Sequence, residues 1–236
     1  MKVLVIIPAY NEEKVIENTV NNLVNTTHDV DYVIINDCSK DNTLKICREK
    51  GLNVVNLPVN LGIGGAVQTG YRYAYENNYD IAIQMDADGQ HDPTYISDLV
   101  NKIEEGNDLV IGSRFIEKEG FQSSTIRRMG IKLYSTIIKV FTNTIIKDTT
   151  SGYRAANRDV IKIFANNYPV DYPEPETDAI IAKAGYNVVE IPVKMSARKE
   201  GKSSITPKKS IYYAVKVGLA VILACMSKHK EVKKNG

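Results

Sequence analysis

Asp86, Asp88 and Gln90 stand on alternate positions directly after the apolar run Ile81-Ala-Ile-Gln-Met85. In extended chain, side chains at i, i+2 and i+4 point the same way. Two carboxylates and an amide oxygen are therefore expected to converge just beyond a strand. That donor set is hard and oxygen-based, suited to Mg²⁺ or Mn²⁺, ions that keep open positions for water and substrate phosphates. The chemistry implied is a divalent metal holding a diphosphate. Asp-Ala-Asp-Gly is equally turn chemistry, so the reading depends on what else reaches the same place. His91 is open between an extra ligand or acceptor contact and a solvated loop residue. Asp92, before Pro93, is expected to cap a helix.

The elements that must position these residues follow from periodicity. Apolar, β-branched runs recur at Val3–Ile7, Tyr32–Ile35, Val54–Leu57, Ile81–Met85 and Leu109–Ile111, as suits strands buried on both faces. Between them lie helical patterns. Glu12–Val24 aligns Val15, Ile16, Val20, Leu23 and Val24 on one side. A second helix starts with Ser39 or Asp41 as N-cap and ends at Gly51. A third runs from Leu61 to about Asn77, and a fourth opens at Pro93 and stops before Gly106. Strand and helix alternate, so roughly the first 110 residues read as α/β with a mostly parallel sheet. Ligands of such sheets gather beyond the carboxyl ends of the strands. Pro8-Ala-Tyr-Asn-Glu12, Asn36-Asp-Cys-Ser39 and Asp86–Gln90 all fall there, and one site is expected to use all three.

The second half is less regular. Ile126–Val140 reads as a helix, and Asp148–Arg154 as a polar loop entering a short strand. Asp159–Phe164 is helical. Tyr172-Pro-Glu-Pro-Glu176 precedes a helix over Thr177–Ala184 that Gly185 closes. Asn187–Val193 is a strand, Met195–Ser204 a basic loop, and Pro207 starts a C-terminal helix.

Composition narrows the class. Charged residues make up 25% and hydrophobic ones 43% of 236 residues, with a net charge of +2. This is ordinary for a globular protein and gives no global field for nucleic acid. Three cysteines without a spaced framework, and an N-terminal apolar run too short for a signal peptide, suggest reduced thiols in the cytosol.

Several segments in order along the chain carry a resemblance. They are Val5-Ile-Ile-Pro-Ala-Tyr-Asn-Glu-Glu13, Ile34-Ile-Asn-Asp-Cys-Ser-Lys-Asp-Asn-Thr43, Asn60-Leu-Gly-Ile-Gly-Gly-Ala66 and Gln84-Met-Asp-Ala-Asp-Gly-Gln-His-Asp-Pro93. Gly112-Ser-Arg-Phe115, Thr150-Ser-Gly-Tyr-Arg154 and Arg198-Lys-Glu-Gly-Lys-Ser-Ser204 complete the set. Together they resemble the family 2 glycosyltransferases of GT-A fold, and within them the polyprenyl-phosphate sugar transferases, the group containing dolichyl-phosphate mannose synthase. The family usually has Asp-Asp-Gly-Ser where this chain has Asn36-Asp37-Cys38-Ser39.

The resemblance implies an inverting, metal-dependent transfer from a nucleotide diphosphate-sugar to a polyprenyl phosphate. It implies a GT-A fold: a mostly parallel mixed sheet flanked by helices, followed by a C-terminal apolar and basic helix. Asp86, Asp88 and Gln90 would hold Mg²⁺ or Mn²⁺. Pro8, Ala9, Tyr10, Asn11, Glu12, Asp37, Gly62, Asp86, Ala87 and Asp88 would bind the donor; the sequence does not separate UDP from GDP or dTDP, and UDP is slightly favoured only because UDP donors are abundant. Arg114, Arg127, Arg128, Arg198 and Ser203 would hold the acceptor phosphate, and Asp88, Arg114 and Arg198 would act in catalysis. An acceptor phosphate is already an anion and needs shielding more than deprotonation.

Residues 1–206 are expected to form the catalytic domain and 207–236 an amphipathic or membrane-associated tail. Ile211–Met226 is apolar almost all round but shorter than the ~20 residues that span a bilayer. Lysines at 208, 209, 216, 228, 230, 233 and 234 interrupt or flank it. Such a helix suits an anionic membrane surface or a small membrane protein; the alternative is a helix packed on its own domain. The expected location is peripheral, on the cytoplasmic face of the membrane, with homo-oligomerisation open and no nucleic acid partner. Two competing readings stand beside this one. A soluble transferase acting on a saccharide or protein hydroxyl would need a general base, with Glu174, Glu176 and Asp178 the candidates. A donor-binding subunit would be active only with a membrane partner.

Overall fold

The structure, a computed structural model, describes residues 1–122, 124–171, 173–196 and 207–227. The chain begins β1 (Val3–Ala9), α1 (Ile16–Thr26), β2 (Asp31–Asn36), α2 (Thr43–Glu49), β3 (Val54–Asn56), α3 (Gly62–Glu76) and β4 (Ile81–Gln84). A short 3₁₀ turn, Pro93–Tyr95, leads into α4 (Ile96–Glu104), then β5 (Leu109–Ser113) and α5 (Thr125–Thr142). There follow β6 (Arg154–Asn157), α6 (Arg158–Asn166), α7 (Pro173–Lys183), β7 (Val188–Pro192) and α8 (Pro207–Met226).

Among the described residues the strands form one sheet in the order β3-β2-β1-β4-β6-β5-β7. All neighbours are parallel except β6, which runs antiparallel to both β4 and β5. The continuous apolar runs have a direct cause, because both faces of the sheet are covered. Leu4, Ile6, Val33, Ile35 and Ile111 pack with residues of α3, α6, α7 and α8. Val5, Ile7, Ile34 and Ile83 pack on the other face with α1 and α4. The reversal of β6 matters most for the site. Its first residue, Arg154, stands opposite Gln84, the last of β4. The loop entering β6 therefore arrives at the carboxyl end of β4, beside Asp86.

Several expectations need correction. β4 stops at Gln84, and Ala87–Gly89 form a turn with Gly89 at φ +73°. Strand alternation is thus not what orients Asp86, Asp88 and Gln90. The first helix begins at Ile16, after a turn in which the Val15 and Ile16 N–H groups donate to Glu12 O. The Tyr-Pro-Glu-Pro-Glu segment does not precede a helix: α7 already begins at Pro173. Pro173 and Pro175 fall in the first turn, where backbone N–H groups have no helical partner to lose. Asp41, not Ser39, serves the start of α2, its Oδ1 accepting the Thr43 N–H at 3.0 Å.

The C-terminal helix is apolar all round for a reason visible in its packing. Val217, Val221, Ala224 and Cys225 are buried in the main core, where α8 lies against α5 and α7. Val215, Leu219, Leu223 and Met226 on the other side are exposed.

Candidate active site

The parallel order places the carboxyl ends of β2, β1 and β4 side by side, and their loops are sewn together. The Asp37 N–H donates to Ala9 O at 2.9 Å. Asn11, at φ +57°, donates its N–H to Ser39 Oγ at 3.0 Å and accepts the Lys40 N–H at 2.8 Å. The Glu12 N–H donates to Thr43 Oγ1 at 2.8 Å. Pro8 and Ala9 are buried at the strand end, while Tyr10 is exposed. Asp37 itself is buried and accepts the Leu61 N–H at 2.7 Å, which fixes the entry to α3 one residue before Gly62. Gly62 adopts φ +75° with open space around its Cα, so backbone is available there for close approach by a ligand.

The turn after β4 is held from three sides. Thr19 Oγ1 on α1 donates to Ala87 O at 2.8 Å. Gln90 Nε2 donates to Ser196 O at 3.0 Å, and the Ser196 N–H returns to Gln90 O at 3.1 Å. His91 lies beneath, buried, its Nδ1 accepting the Asp86 N–H at 3.0 Å. Within the turn, Asp88 Oδ1 accepts the Gln90 N–H at 3.0 Å. Asp88 is buried, whereas the Asp86 side chain is 37% exposed. His91 is therefore not a solvated loop residue, and Nδ1 is not open to a ligand. Asp92 does cap, accepting the Thr94 N–H at 3.0 Å.

Gly152 closes the space beside Asp86. A Cβ built there would lie 3.0 Å from Gln84 Nε2 and 3.2 and 3.3 Å from the Asp86 carboxylate oxygens. The absent side chain leaves the carboxylate room against the backbone of the β6 loop. Among the described residues no group of three or more His, Cys, Asp or Glu is placed to hold a metal ion. The turn carries the carboxylates of Asp86 and Asp88, and two hard oxygen donors fit Mg²⁺ or Mn²⁺ shared with a diphosphate.

The arginines sort by partner. Arg114 is buried, and Nε and one terminal nitrogen reach the two Asp148 oxygens, each at 2.7 Å. Asp148 is fully buried, and its own N–H donates to Glu190 Oε1 at 2.8 Å. Arg114, expected to meet the acceptor phosphate, makes a bidentate brace between the β5 end and the loop leading to β6. On the neighbouring strand Arg154 braces in a similar way, donating to Asp178 Oδ1 at 3.0 Å and to Ser151 O at 2.6 and 3.1 Å.

Arg127 stands in the first turn of α5, its N–H on the capping Ser124 Oγ at 3.4 Å. Burial of the guanidinium and the like charge of Arg114 lower its pKa, while Asp148, Glu174 and Asp86 act in the opposite direction. Arg127 is an exposed residue as a whole, and its electrostatic neighbours include Asp86 on the turn after β4. Arg128 is exposed. Arg198 and Ser203 lie outside the described residues.

The base candidates separate in the same way. Asp178 is fully buried against Arg154; burial pushes its pKa up to about 7, with Arg154 pulling the other way. Glu174, one helical turn earlier, is half-buried. Burial raises its pKa, Arg154 opposes this, and Asp86 adds to it. Glu176 is half-buried on the same helix. Glu174 is electrostatically linked to both Asp86 and Arg127. A shallow concavity of about 440 Å³ near Val24, His28, Asp31 and Tyr79 lies at the opposite, amino ends of the strands, and holds none of these groups.

Sequence reasoning missed Thr19, Asp148, Tyr153 and Glu190. Thr19 had no signal beyond an amphipathic helix face, and Asp148 and Tyr153 lay in segments read as loop and motif without a role.

Residues 4–164 match the sequence profile described as Glycosyl transferase family 2. A UDP-N-acetylglucosamine–dolichyl-phosphate N-acetylglucosaminyltransferase of Methanococcus voltae is 33% identical over 213 residues, 81% of this chain and 84% of that one. An undecaprenyl-phosphate mannosyltransferase of Micrococcus luteus is 28% identical over 218 residues, 87% of this chain and 88% of that one. Among solved structures, glucosyl-3-phosphoglycerate synthase from Mycobacterium tuberculosis in complex with Mn²⁺ and UDP-glucose superposes with a TM-score of 0.67 at 18% identity, covering 96% of this chain and 80% of that one. The ordered motifs, the sheet with its one reversed strand and a profile match over more than half of the chain lead to one conclusion: the chain belongs to glycosyl transferase family 2 and is a glycosyltransferase of GT-A fold.

Proposed function

We propose that the enzyme moves a sugar from a nucleotide diphosphate-sugar, with UDP the favoured nucleotide, to a polyprenyl phosphate at the membrane surface. The observation that carries this reading is the placing of Asp86 and Asp88 on one turn at the carboxyl end of β4, beside the ends of β1 and β2, with the loop entering β6 brought against Asp86 at Gly152. The names of the Methanococcus and Micrococcus relatives support a polyprenyl-type phosphate acceptor. Asp86 and Asp88, with Gln90 beside them, would hold the divalent ion. The ion would neutralise charge on the departing nucleoside diphosphate.

The chain's own residues supply the remainder. The loops at Pro8–Glu12 and Asp37–Gly62 form the wall for base and ribose, with backbone rather than long side chains near the nucleotide. Arg127 draws the acceptor phosphate to the face opposite the diphosphate and shields it from Asp86 and Glu174. The phosphate is anionic at neutral pH, so its attack needs no proton removed. Arg114 and Arg154 act at one remove, keeping the Asp148–Arg154 segment against the metal turn. The single displacement inverts the anomeric centre. Arg128, Arg198 and Ser203 are further candidates for the acceptor phosphate.

Membrane contact is assigned to α5 and α8. Among the described residues no helix is long and apolar enough to cross a membrane. The two helices lie against each other, and Met129, Leu133, Val140 and Phe141 on α5 and Leu219 and Leu223 on α8 are exposed. Neither contains an acidic residue, and together they carry Arg127, Arg128, Lys132, Lys139, Lys208, Lys209 and Lys216. Basic, apolar surface suits an anionic bilayer face.

Two substitutions test the acceptor class. Arg127→Ala should raise KM for a polyprenyl phosphate by ~10–100-fold, as expected for loss of a charged hydrogen-bond donor, with donor binding little changed. Glu174→Gln should retain transfer to the lipid phosphate. Loss of transfer in Glu174→Gln with donor binding intact would overturn the phosphate reading and assign Glu174 as general base toward a hydroxyl.

A further inference from the structure

His91 is a buried titratable side chain of the site to which the proposed chemistry gives no role. Its ring lies flat against Tyr153, centroids 4.7 Å apart and planes 8° from parallel. Tyr153 donates its hydroxyl to Asp92 O at 2.9 Å, so the ring pair ties the β6 entry to the metal turn. On the other edge, Nδ1 accepts the Asp86 N–H at 3.0 Å. A neutral imidazole nitrogen that accepts carries no hydrogen, so the ring hydrogen belongs on Nε2. Nε2 stands 3.8 Å from Asp86 Oδ2, too far for a direct hydrogen bond. The contact that matters is therefore with the Asp86 backbone. Gly152, adjacent to Tyr153, leaves the Asp86 carboxylate its space on the far side.

We propose that His91 is a positioning residue for Asp86. Its Nδ1 fixes the Asp86 peptide, and its stack on Tyr153 fixes the ring, so the carboxylate is aimed before a metal or diphosphate arrives. The inference rests on the reading of Asp86 as a metal ligand. Groups that orient metal ligands are commonly worth ~10–100-fold in metal affinity. The acceptor position makes the inference sharp. An asparagine side chain can put its amide oxygen where Nδ1 stands. A glutamine oxygen reaches instead toward the place of Nε2.

The test is calorimetric titration of Mn²⁺ into protein with and without UDP, for wild type, His91→Asn, His91→Gln and His91→Ala, with thermal melts of each. His91→Asn should keep Mn²⁺ affinity within about 3-fold. His91→Gln and His91→Ala should lose ~10-fold or more. Equal affinity in all four would overturn the proposal, as would equal losses in Asn and Gln variants that track their melting temperatures, the mark of packing alone. Imidazole ¹⁵N NMR of the wild type supplies a readout that no variant's folding affects. Nδ1 should appear as the unprotonated nitrogen, and the opposite tautomer would overturn the proposal. If wild type binds UDP with no dependence on Mn²⁺, the metal reading itself fails, a result distinct from any pattern among the His91 variants.

Discussion

Cys38 occupies left-handed backbone, φ +54°, at the position where the resembling family carries glycine. The penalty for a side chain there is ~1–2 kcal/mol, offset by the ~0.5–1 kcal/mol that glycine costs through its unfolded-state freedom. Cys38→Gly should therefore raise stability by up to ~1 kcal/mol, read as an increase in Tm, and a fall would show that the Sγ contact to Pro58 O outweighs the strain. Asp178 gives the pH dependence. Its folded pKa is raised to about 7 by burial, so the native state binds this proton more tightly than the unfolded chain does. Its contribution is fully present below the ordinary carboxylate range and is lost as pH rises through about 7. Melting curves from pH 5 to pH 8 should show this loss in wild type and lack it in Asp178→Asn, which removes the titrating group. Asp37, Asp86 and Asp88 stand just beyond the carboxyl ends of β2 and β4, as the apolar runs before them predicted. Their partners were not legible. Arg114 meets Asp148 from 34 positions away, and nothing in either local sequence says that the guanidinium is bound to a carboxylate rather than facing a phosphate.

The elements of the first half were legible because the central strands are buried on both faces and the helices between them carry an apolar stripe. Val3–Ala9 and α4 are where the periodicity put them. The reversal of β6 was not legible, since a short strand such as Arg154–Asn157 carries no mark of direction. Nor was the helical start of α7, where two prolines read as loop but fit a first turn. These two unread features bring the Ser151–Arg154 segment and Glu174 to the site. The close approach of that segment gives a prediction for Gly152. Gly152→Val adds branched bulk where even a Cβ stands 3.0–3.3 Å from Gln84 and Asp86. Transfer should fall at least ~10-fold at a stability cost of ~1–3 kcal/mol. Wild-type kcat/KM in a folded Gly152→Val protein would mean that Asp86 is not confined by this loop.

At the scale of the whole molecule, charge is segregated. The chain's net charge is +2, yet α5 and α8 carry seven basic and no acidic residues, so the rest of the chain is net acidic. The same helices expose apolar side chains, and Arg127 stands in the first turn of α5. Leu219→Glu with Leu223→Glu should abolish sedimentation with anionic vesicles while leaving the fold intact, because both side chains are exposed; unchanged binding, or binding insensitive to added salt, would remove this face from the account. The sequence predicted an apolar, basic C-terminal helix but not its pairing with α5, because only the packed fold shows that one face of α8 is core and the other is open. The most direct test of the central claim is mass spectrometry of lipid products. Purified protein would be incubated with Mg²⁺ or Mn²⁺, polyprenyl phosphate and a panel of UDP-, GDP- and dTDP-sugars. The account predicts a glycosyl-phospholipid from one donor, strongest with a UDP-sugar and lost in Asp88→Ala. Metal-dependent donor hydrolysis without any lipid product, or transfer only to a hydroxyl acceptor, would contradict it.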